Sequence, residues 1–252
     1  MIPKTLHYCW FGNNPKSKIL QDCIKSWEHY CPDFEIKEWN EKNTKSFANP
    51  FYKNALRKKK YAFVADYIRA KVLFEEGGIY LDTDMMLLQP LDLLLQYDFF
   101  IGEEVSGRIN FALFGAPKRH RFLKQMLDFY DATHFNVFAL PVITHTFSPI
   151  INAQTIGTNE IIFKPSYFYP LPFEHRLDYY TEFIQQESYA VHLWDHSWAK
   201  VPQLGLLPLV KNLSEVVVDY LFYEYSFAYF RRYSKEFSRK IYQLLRAKTR
   251  LQ

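Results

Sequence analysis

Two aspartates, Asp82 and Asp84, lie one residue apart in the segment GGIYLDTDMM, residues 77–86. A short apolar run precedes them, as in a buried strand, and alternate side chains of a strand, here Tyr80, Asp82 and Asp84, share one side. Two carboxylates this close repel each other unless a positive charge lies between them. Mg²⁺ and Mn²⁺ prefer oxygen ligands and often share them with substrate phosphates. The pair therefore predicts a divalent-cation site, although a helix cap or a solvated turn explains the same two residues.

A second charged pair, Asp66 and Arg69, lies in the preceding segment, residues 60–78, whose spacing predicts a helix ended by Gly77 or Gly78. Residues three apart share one helix face, so a local ion pair is one interpretation. Their neighbours are apolar, however, and charged groups in apolar surroundings need partners. On the second interpretation Asp66 accepts hydrogen bonds from sugar hydroxyls, and the planar fork of Arg69 binds a phosphate or a sugar oxygen.

The elements around these residues predict an α/β fold. Strand and helix patterns alternate over the first 130 residues, which favours a sheet with parallel strands. Ligands of such sheets bind beyond the carboxyl ends of the strands, which is where Asp82 and Asp84 lie. Residues 213–248 have a mainly helical pattern.

The composition excludes several classes of protein. The chain has 252 residues, 48% of them hydrophobic and 23% charged, which indicates a globular rather than a disordered protein. Its three cysteines lie within the first 31 residues and form no CxxC, which argues against a disulfide framework or a zinc site. We find no signal-peptide pattern at the N-terminus and no apolar run of transmembrane length. We therefore expect a cytoplasmic protein.

The last 22 residues, 231–252, carry eight basic side chains against the single acid Glu236. Their apolar residues, Tyr233, Phe237, Ile241 and Leu244 among them, recur at helical spacing. A helix packed on the protein body is one interpretation. The other is an amphipathic helix on an anionic membrane, at the inner face of the plasma membrane, which we favour. No RNA-binding motif accompanies the basic residues, so we expect no nucleic-acid partner.

The run ADYIRAKVLFEEGGIYLDTDMMLLQPL, residues 65–91, resembles the DXD-containing sugar-transferase family. That family includes capsule and lipooligosaccharide glycosyltransferases, fungal initiating mannosyltransferases and clostridial glucosylating toxins. Asp-x-x-Arg on a helix, a Gly-Gly turn and Tyr-x-Asp-x-Asp all occur in register. The opening IPKTLHYCWFG is similar to the family's first strand, and HLWDHSW, residues 192–198, is similar to its closing loop.

The resemblance implies a type A glycosyltransferase fold, an α/β domain with a mixed, mostly parallel sheet that binds a nucleotide-sugar. We expect this domain at residues 1–212 and a helical extension at 213–252. It also implies Mn²⁺ or Mg²⁺ as cofactor, a UDP-linked donor and a glycan acceptor, lipid-linked in one version of the hypothesis. The expected function is retaining transfer of a hexose or N-acetylhexosamine in capsule or surface polysaccharide synthesis.

The same resemblance implies roles for individual residues. For the nucleotide, Trp10 stacks on the base and Tyr80 lies near the base or ribose. Asp66 and Arg69 hold the transferred sugar. Asp82 contacts the ribose and a metal-bound water, and Asp84 binds the metal. The residues that close over the diphosphate are His192, Ser197 and Trp198. His192 is the implied further metal ligand, and Asp195 and His196 are its substitutes. No residue is an evident carboxylate nucleophile, although Glu103, Glu104 and Asn110 follow the aspartate pair. We therefore favour a same-face substitution, in which the leaving phosphate helps to deprotonate the acceptor.

Two other functions fit parts of the pattern. Phosphatases with an aspartate nucleophile also place DxD after an apolar strand, with Asp82 as nucleophile and Asp84 as acid. Met86 and the lack of a later acidic pair argue against that class. A non-catalytic protein that binds carbohydrate or nucleotide would use most of the same residues, and only turnover separates it from an enzyme.

Overall fold

The computed structural model describes residues 1–136, 141–195, 206–222 and 227–249. The chain divides into two compact units. The first comprises Met1–Phe135 and Pro141–His196, and the second comprises Asn136–Leu140 and Ser197–Gln252. Three residues of the predicted closing loop, His196, Ser197 and Trp198, lie outside the described residues.

Eight strands are described, all in the first unit. They are β1 (Thr5–Cys9), β2 (Glu35–Trp39), β3 (Gly78–Leu81), β4 (Met85–Leu87), β5 (Phe99–Val105), β6 (Arg108–Ala116), β7 (Glu160–Phe163) and β8 (Ala190–His192). The first unit also holds the helices α1 (Lys18–Tyr30), α2 (Pro50–Arg57), α3 (Tyr61–Glu76), α4 (Arg121–Ala132), α5 (Ile143–Phe147) and α6 (Pro165–Phe168). Short 3₁₀ turns occupy Asp92–Gln96, Phe173–His175 and Tyr180–Glu182.

Six of the strands form one sheet in the order β2-β1-β3-β6-β5-β7, and β4 and β8 form a separate antiparallel ribbon. Within the sheet β1 pairs in parallel with β2 and β3, and β5 pairs in parallel with β7. Strand β6 runs antiparallel to both of its neighbours, β3 and β5. The predicted α/β fold with a mixed, mostly parallel sheet is confirmed.

The aspartate pair lies just beyond the strand in which the sequence pattern placed it. Strand β3 ends at Leu81, and Asp82 and Asp84 occupy the turn between β3 and β4. The strand prediction, which extended to Asp84, was therefore three residues too long at its carboxyl end. The chain leaves the sheet here because the next residues pair with β8 instead of β6.

Helix α1 holds the far side of this turn. The Trp27 indole is fully buried and donates a hydrogen bond to the carbonyl oxygen of Met85 at 2.7 Å. The Leu87 amide donates to the Ser26 hydroxyl at 2.9 Å. Since buried polar groups need partners, these two bonds fix β4 against the helix and thereby fix where the turn ends.

The near side of the turn depends on Gly77, Gly78 and His7. Both glycines have positive φ, 69° and 114°, which ends α3 and turns the chain into β3 within two residues. The buried His7 ring accepts a hydrogen bond from Trp39 Nε1 at Nδ1, so Nε2 carries the proton and donates to the Gly77 carbonyl at 2.9 Å. Burial lowers the pKa of His7, which keeps it neutral in this role.

The second unit contains two described helices, α7 (Leu206–Phe222) and α8 (Phe227–Thr249). They pack on each other through Val216, Leu213, Phe230 and Phe237. Helix α7 runs continuously across the predicted boundary at residue 212, and the division into a catalytic domain and a helical extension stays a prediction. No helix among the described residues is long and apolar enough to cross a membrane.

Replacing Gly78 with alanine should destabilise the protein far more than the same change at Gly107. Both glycines have positive φ, 114° and 80°. A Cβ at Gly78 would lie 2.6 Å from the Thr5 carbonyl oxygen and 2.9 Å from His7 Nε2, whereas a Cβ at Gly107 meets no atom within 4 Å. We expect Gly107→Ala to cost about 1 kcal/mol of unfolding free energy and Gly78→Ala about 3 kcal/mol or more, measured by urea unfolding. Equal losses would show that only the backbone angle matters.

Candidate active site

The turn that carries Asp82 and Asp84 is held by main-chain hydrogen bonds. The Asp82 amide donates to the Ala112 carbonyl of β6 at 2.7 Å, and the Met85 amide donates to the Asp82 carbonyl at 3.0 Å. The Leu193 amide donates to the Asp84 carbonyl at 3.0 Å. Both aspartate side chains are thus placed at the carboxyl end of β3 by backbone contacts on three sides.

Arg69 is the centre of the site. Its side chain is 7% exposed, and its Nη2 atom lies 3.1 Å from Asp66 Oδ1 and 3.2 Å from Asp82 Oδ1. Nη1 donates to the Phe111 carbonyl at 2.7 Å, and Nε donates to the Ala65 carbonyl at 3.3 Å. One guanidinium therefore joins α3, β6 and the aspartate turn, and the local Asp66–Arg69 pair is part of this larger network.

Tyr80 lies directly beneath the Arg69 guanidinium. The guanidinium carbon is 4.5 Å from the centre of the Tyr80 ring, and the Tyr80 hydroxyl donates to Asp82 Oδ1 at 3.0 Å. Tyr80 is only 1% exposed, so in this structure it orients Arg69 and Asp82. Its contact with a base or ribose stays a prediction.

Cys9 adjoins the same network, a contact that the sequence pattern did not predict. Burial raises the pKa of its thiol to about 12, with the nearby Arg69 charge opposing that rise. A thiol with this pKa stays protonated at neutral pH, so Cys9 is a poor nucleophile here.

Asp66 is a buried carboxylate, 6% exposed as a residue. Burial raises its pKa to about 7, Arg69 opposes the rise and Asp82 adds to it. Asp66 therefore exchanges a proton near neutral pH, and in either state it can hydrogen-bond to a hydroxyl group.

Asp84 pairs with His192 across the β4–β8 ribbon. Asp84 Oδ2 lies 3.1 Å from His192 Nε2 and accepts a hydrogen bond from the Asp195 amide at 3.0 Å. Burial alone would raise the pKa of Asp84, but the charge and hydrogen bond of His192 outweigh it, and the pKa is lowered. Burial alone would lower the pKa of His192, but Asp84 outweighs it and raises that pKa.

Asp82, Asp84 and His192 form a group that fits a divalent cation. One ligand atom from each of the three lies within 4.8 Å of the others. Burial raises the pKa of Asp82 and the Asp84 charge adds to the rise, against the opposing charge of Arg69. His192 Nδ1 is buried and has no hydrogen-bond partner among the described residues. The two adjacent carboxylates supply the oxygen ligands that Mn²⁺ and Mg²⁺ prefer, and the unused histidine nitrogen is a further donor of the kind that transition-metal ions accept.

Trp10 lies at the carboxyl end of β1, one strand away from the aspartates. Strand β1 pairs in parallel with β3, with His7 in register with Tyr80, and Trp10 directly follows the end of β1. Its ring is partly buried, its Nε1 donates to the Asn14 carbonyl at 2.8 Å, and the Lys16 ammonium lies 5.4 Å from the ring centre. The placement leaves part of the ring accessible for stacking, which stays a prediction.

The structure also brings Glu104 towards the site, where sequence reasoning assigned it no role. Its carboxylate pairs with Arg108, accepts from the Asn110 amide and contributes to the raised pKa of His192. Glu104 follows a bulge in the pairing of β5 with β6, and this bulge sets its direction. Gly102 inside the strand is a local signal for such a bulge, but it does not show which groups Glu104 will contact.

Among the described residues, the structure thus brings together Asp66, Arg69, Tyr80, Asp82, Asp84 and His192. Asp195 adjoins them through its amide, and its side chain accepts a hydrogen bond from Ser17 at 3.4 Å. The individual roles of these residues stay predictions.

A family model described as "Glycosyltransferase sugar-binding region containing DXD motif" matches residues 17–100. This segment holds Asp66, Arg69, Tyr80 and both aspartates of the turn.

Curated proteins that are similar to part of this chain are named as glycosyltransferases. Inositol phosphoceramide mannosyltransferase 3 of Schizosaccharomyces pombe is 29% identical over 151 residues, which cover 58% of this chain and 42% of that protein. Human lactosylceramide 4-alpha-galactosyltransferase is 26% identical over 150 residues, 52% of this chain and 41% of that protein. Human alpha-1,4-N-acetylglucosaminyltransferase is 24% identical over 148 residues, which cover 52% of this chain and 42% of that protein. The chain thus spans less than half the length of these three relatives.

Solved structures similar to this chain include "PaToxG Glycosyltransferase", at a TM-score of 0.49 and 18% identity over 61% of this chain and 72% of that one. A glycosyltransferase involved in the glycosylation of the major capsid of PBCV-1 has a TM-score of 0.47 at 11% identity. The match covers 76% of this chain and 94% of that one.

Replacing Arg69 with lysine should strongly destabilise the protein. A lysine keeps the charge but cannot reach two carboxylates and two carbonyls at once, so buried acceptors lose their donors. We expect a loss of about 3 kcal/mol or more in unfolding free energy, and partial recovery when Asp66→Asn is added. Arg176→Lys is the matched control, because Arg176 also lies over an aromatic ring and donates to a carbonyl but is exposed. A loss no larger than that of the control would contradict the central role of Arg69.

Proposed function

We propose that the protein is a metal-dependent, retaining glycosyltransferase that moves a hexose or N-acetylhexosamine from a nucleotide-sugar to a glycan acceptor. The observation that carries the proposal is the joining of two features. The group Asp82, Asp84 and His192 fits a cation. The buried Arg69 ties this group to Asp66, within the matched sugar-binding region.

In the proposed reaction Asp84 and His192 would hold Mn²⁺ or Mg²⁺, with Asp82 as the third member of the group. A bound divalent cation supplies positive charge that stabilises the diphosphate leaving group. Arg69 orients Asp82 and favours its ionised form against the effect of burial, because its guanidinium is 3.2 Å from the Asp82 carboxylate. Trp10, at the end of the neighbouring strand, supplies a ring on which a base can stack, and we propose a uridine base.

The Asp66 carboxyl is the group that we assign to the hydroxyls of the transferred sugar. It is buried, and Arg69 Nη2 lies 3.1 Å from its Oδ1 atom. A sugar hydroxyl that reaches it would lose a hydrogen bond to water and donate a stronger one to the carboxylate. A buried site built to bond a hydroxyl rejects an analogue that lacks it, because the carboxylate oxygen that Arg69 does not pair is then left without a donor. Asp66 would therefore contribute to the choice among donor sugars.

Retention of the anomeric configuration has support from the relatives. The names of two of them specify an alpha linkage. An alpha-linked product formed from an alpha-linked nucleotide donor is a retaining reaction. We favour same-face substitution, and Glu104 is the carboxylate on which the double-displacement alternative would depend. Mass spectrometry of Glu104 after incubation with a slow fluorinated donor distinguishes them, since a covalent glycosyl adduct on Glu104 would refute same-face substitution.

We propose a membrane-borne acceptor, as in capsule or surface polysaccharide synthesis. Two of the relatives carry ceramide lipids in their names, which supports a lipid-linked glycan. Helices α7 and α8 suit attachment to an anionic membrane at the inner face of the plasma membrane. Large apolar side chains are exposed at the end of α7 and at the start of α8: Leu221 is 61% exposed, Phe222 74% and Phe227 62%. Exposed basic residues follow on α8, as in an amphipathic helix that binds an anionic membrane.

Nucleotide binding is the first test of the proposal. We expect UDP with Mn²⁺ to raise the Tm of the wild type. At a UDP concentration a hundredfold above its Kd, the expected stabilisation of the folded state is about 2.7 kcal/mol. UDP or GDP without metal should change the Tm little. Asp84→Asn should abolish the metal-dependent rise in Tm. Asp128→Asn is the control, because Asp128 is an exposed aspartate paired with Lys124.

Hydrolysis or transfer of the matching nucleotide-sugar then separates an enzyme from a binding protein. Binding without turnover in the presence of membrane extracts would favour the non-catalytic alternative. If none of the nucleotides gives a shift that depends on the metal, that result would contradict the proposed donor site.

Membrane binding is tested by cosedimentation with vesicles. We expect the wild type to pellet with phosphatidylcholine vesicles that contain phosphatidylserine and to remain in solution with phosphatidylcholine alone. Arg231→Glu with Lys235→Glu should remove most of the binding, since each basic residue near such a surface contributes about 1 kcal/mol. Lys42→Glu with Lys45→Glu makes the same change of charge at exposed positions of the first unit. Equal loss in both double variants would indicate attraction through net charge alone.

A further inference from the structure

A cavity of about 490 Å³ lies at the edge of the main sheet, beside the outermost strand β7. Its walls come from the turn Asp92–Gln96, from β7 with the residues that follow it, and from residues 187–189. None of these residues belongs to the candidate active site. The volume is within the range of about 300–1,000 Å³ that is usual for small-ligand sites.

The cavity has aromatic walls. Tyr97, Tyr167 and Tyr189 line it, each partly exposed, together with the buried Phe163. The rings of Tyr167 and Tyr189 are nearly parallel, at 15° with centres 6.4 Å apart, and the Tyr167 ring centre lies 4.7 Å from that of Phe163. These rings provide flat apolar faces that open towards a ligand.

The backbone behind these rings is fixed. The Tyr189 amide donates to the Tyr167 carbonyl at 2.8 Å, and the Leu88 amide donates to the Tyr189 carbonyl at 2.9 Å. The two parallel rings are therefore built on paired segments rather than on a free loop, so the platform is formed before a ligand binds.

Polar side chains without partners surround the same space. They are the hydroxyls of Tyr97, Tyr167 and Tyr189 and the side chains of Gln96, Lys164, Ser166 and Glu187. Within the described part of the chain, none of these side-chain groups forms a hydrogen bond or an ion pair. An acyl chain in the cavity would remove several of them from water without replacing the lost hydrogen bonds, which is costly. A phosphate group would meet one lysine, Lys164, opposed by Glu187.

A pyranose ring fits both features of the cavity. Its C–H faces are apolar and can lie on aromatic rings, while its hydroxyls both donate and accept hydrogen bonds, as the surrounding amide, carboxylate, ammonium and phenol groups require. We propose that this cavity is a saccharide-binding site, separate from the candidate active site, that takes one or two neutral pyranose units of a glycan.

The position of the cavity makes the two sites neighbours that do not overlap. Tyr189 immediately precedes β8, and His192 ends it, so their backbones are about 10 Å apart. Side chains alternate along a strand, so the two residues face opposite sides of the ribbon. A glycan held at the cavity would thus be kept near the transfer site without occupying it.

Ligand-observed NMR titrations test the proposal with methyl α-D-mannopyranoside, methyl β-D-galactopyranoside, lactose and N,N′-diacetylchitobiose. We expect at least one of them to bind the wild type with a Kd on the order of 1 mM. Glu187→Gln and Tyr189→Phe, which remove one charge or one hydroxyl each, should raise that Kd several-fold, and Tyr189→Ala should raise it at least tenfold. Tyr179→Ala is the control, because Tyr179 is 80% exposed and lies outside the cavity.

The same titrations separate this site from the donor site. Saturating UDP with Mn²⁺, or Asp84→Asn, should leave the saccharide Kd unchanged within twofold, so the inference stands even if the proposed function fails. Three results would overturn it: no binding of any of the four sugars, binding that UDP displaces, or binding that Tyr189→Phe and Glu187→Gln leave unchanged. Binding of octanoate in place of the sugars would identify an acyl-chain cavity and would also overturn it.

Discussion

The burial of the Arg69 guanidinium between Asp66 and Asp82 is the interaction on which the rest of the site depends. A guanidinium removed from water needs nearly all of its donors paired, and here they reach two carboxylates, two carbonyls and the face of Tyr80. Each partner comes from α3, from β6 or from the β3 strand and its turn. Arg69 therefore joins α3 and the following β3 turn to β6, which lies about 40 residues further along the chain, and a change in any of the three would disturb the position of Asp82.

The balance of charge explains why this site suits a cation. Three carboxylates, Asp66, Asp82 and Asp84, lie around one permanent positive charge, with His192 as a titratable second. Arg69 is committed to Asp66 and Asp82, so Asp84 depends on His192 and on the Asp195 amide. A divalent ion would relieve the repulsion that the Asp84 charge exerts on Asp82, where it adds to the rise in pKa that burial causes. The same excess of negative charge would also favour sugar hydroxyls, which donate to carboxylates.

The scaffold holds the turn rigidly from two sides. Trp27 and Ser26 of α1 fix β4, and His7 with the two glycines fixes the start of β3. These contacts use buried polar groups rather than apolar packing alone, which makes the position of the turn specific, because each broken bond leaves a buried group unpaired. The aspartates can therefore lie outside regular secondary structure and still have a defined geometry.

The sequence by itself determined the α/β class, the helix that ends at the glycine pair, and the set of acidic and basic residues in the DXD region. Those features follow from local periodicity, from glycine's freedom at positive φ and from residue types at fixed spacing. It placed Asp82 and Asp84 within the strand, because a period-2 pattern cannot reveal where pairing with a neighbour stops.

Only the tertiary structure decided that β4 leaves the sheet to pair with β8, which brings His192 to Asp84 from more than 100 residues away. The tertiary structure also decided the place of Glu104, since its direction depends on a bulge between β5 and β6, and the aromatic cavity, since Tyr97, Tyr167 and Tyr189 share no local pattern. Contacts of that kind depend on how separate elements pack, and no spacing within one segment records them.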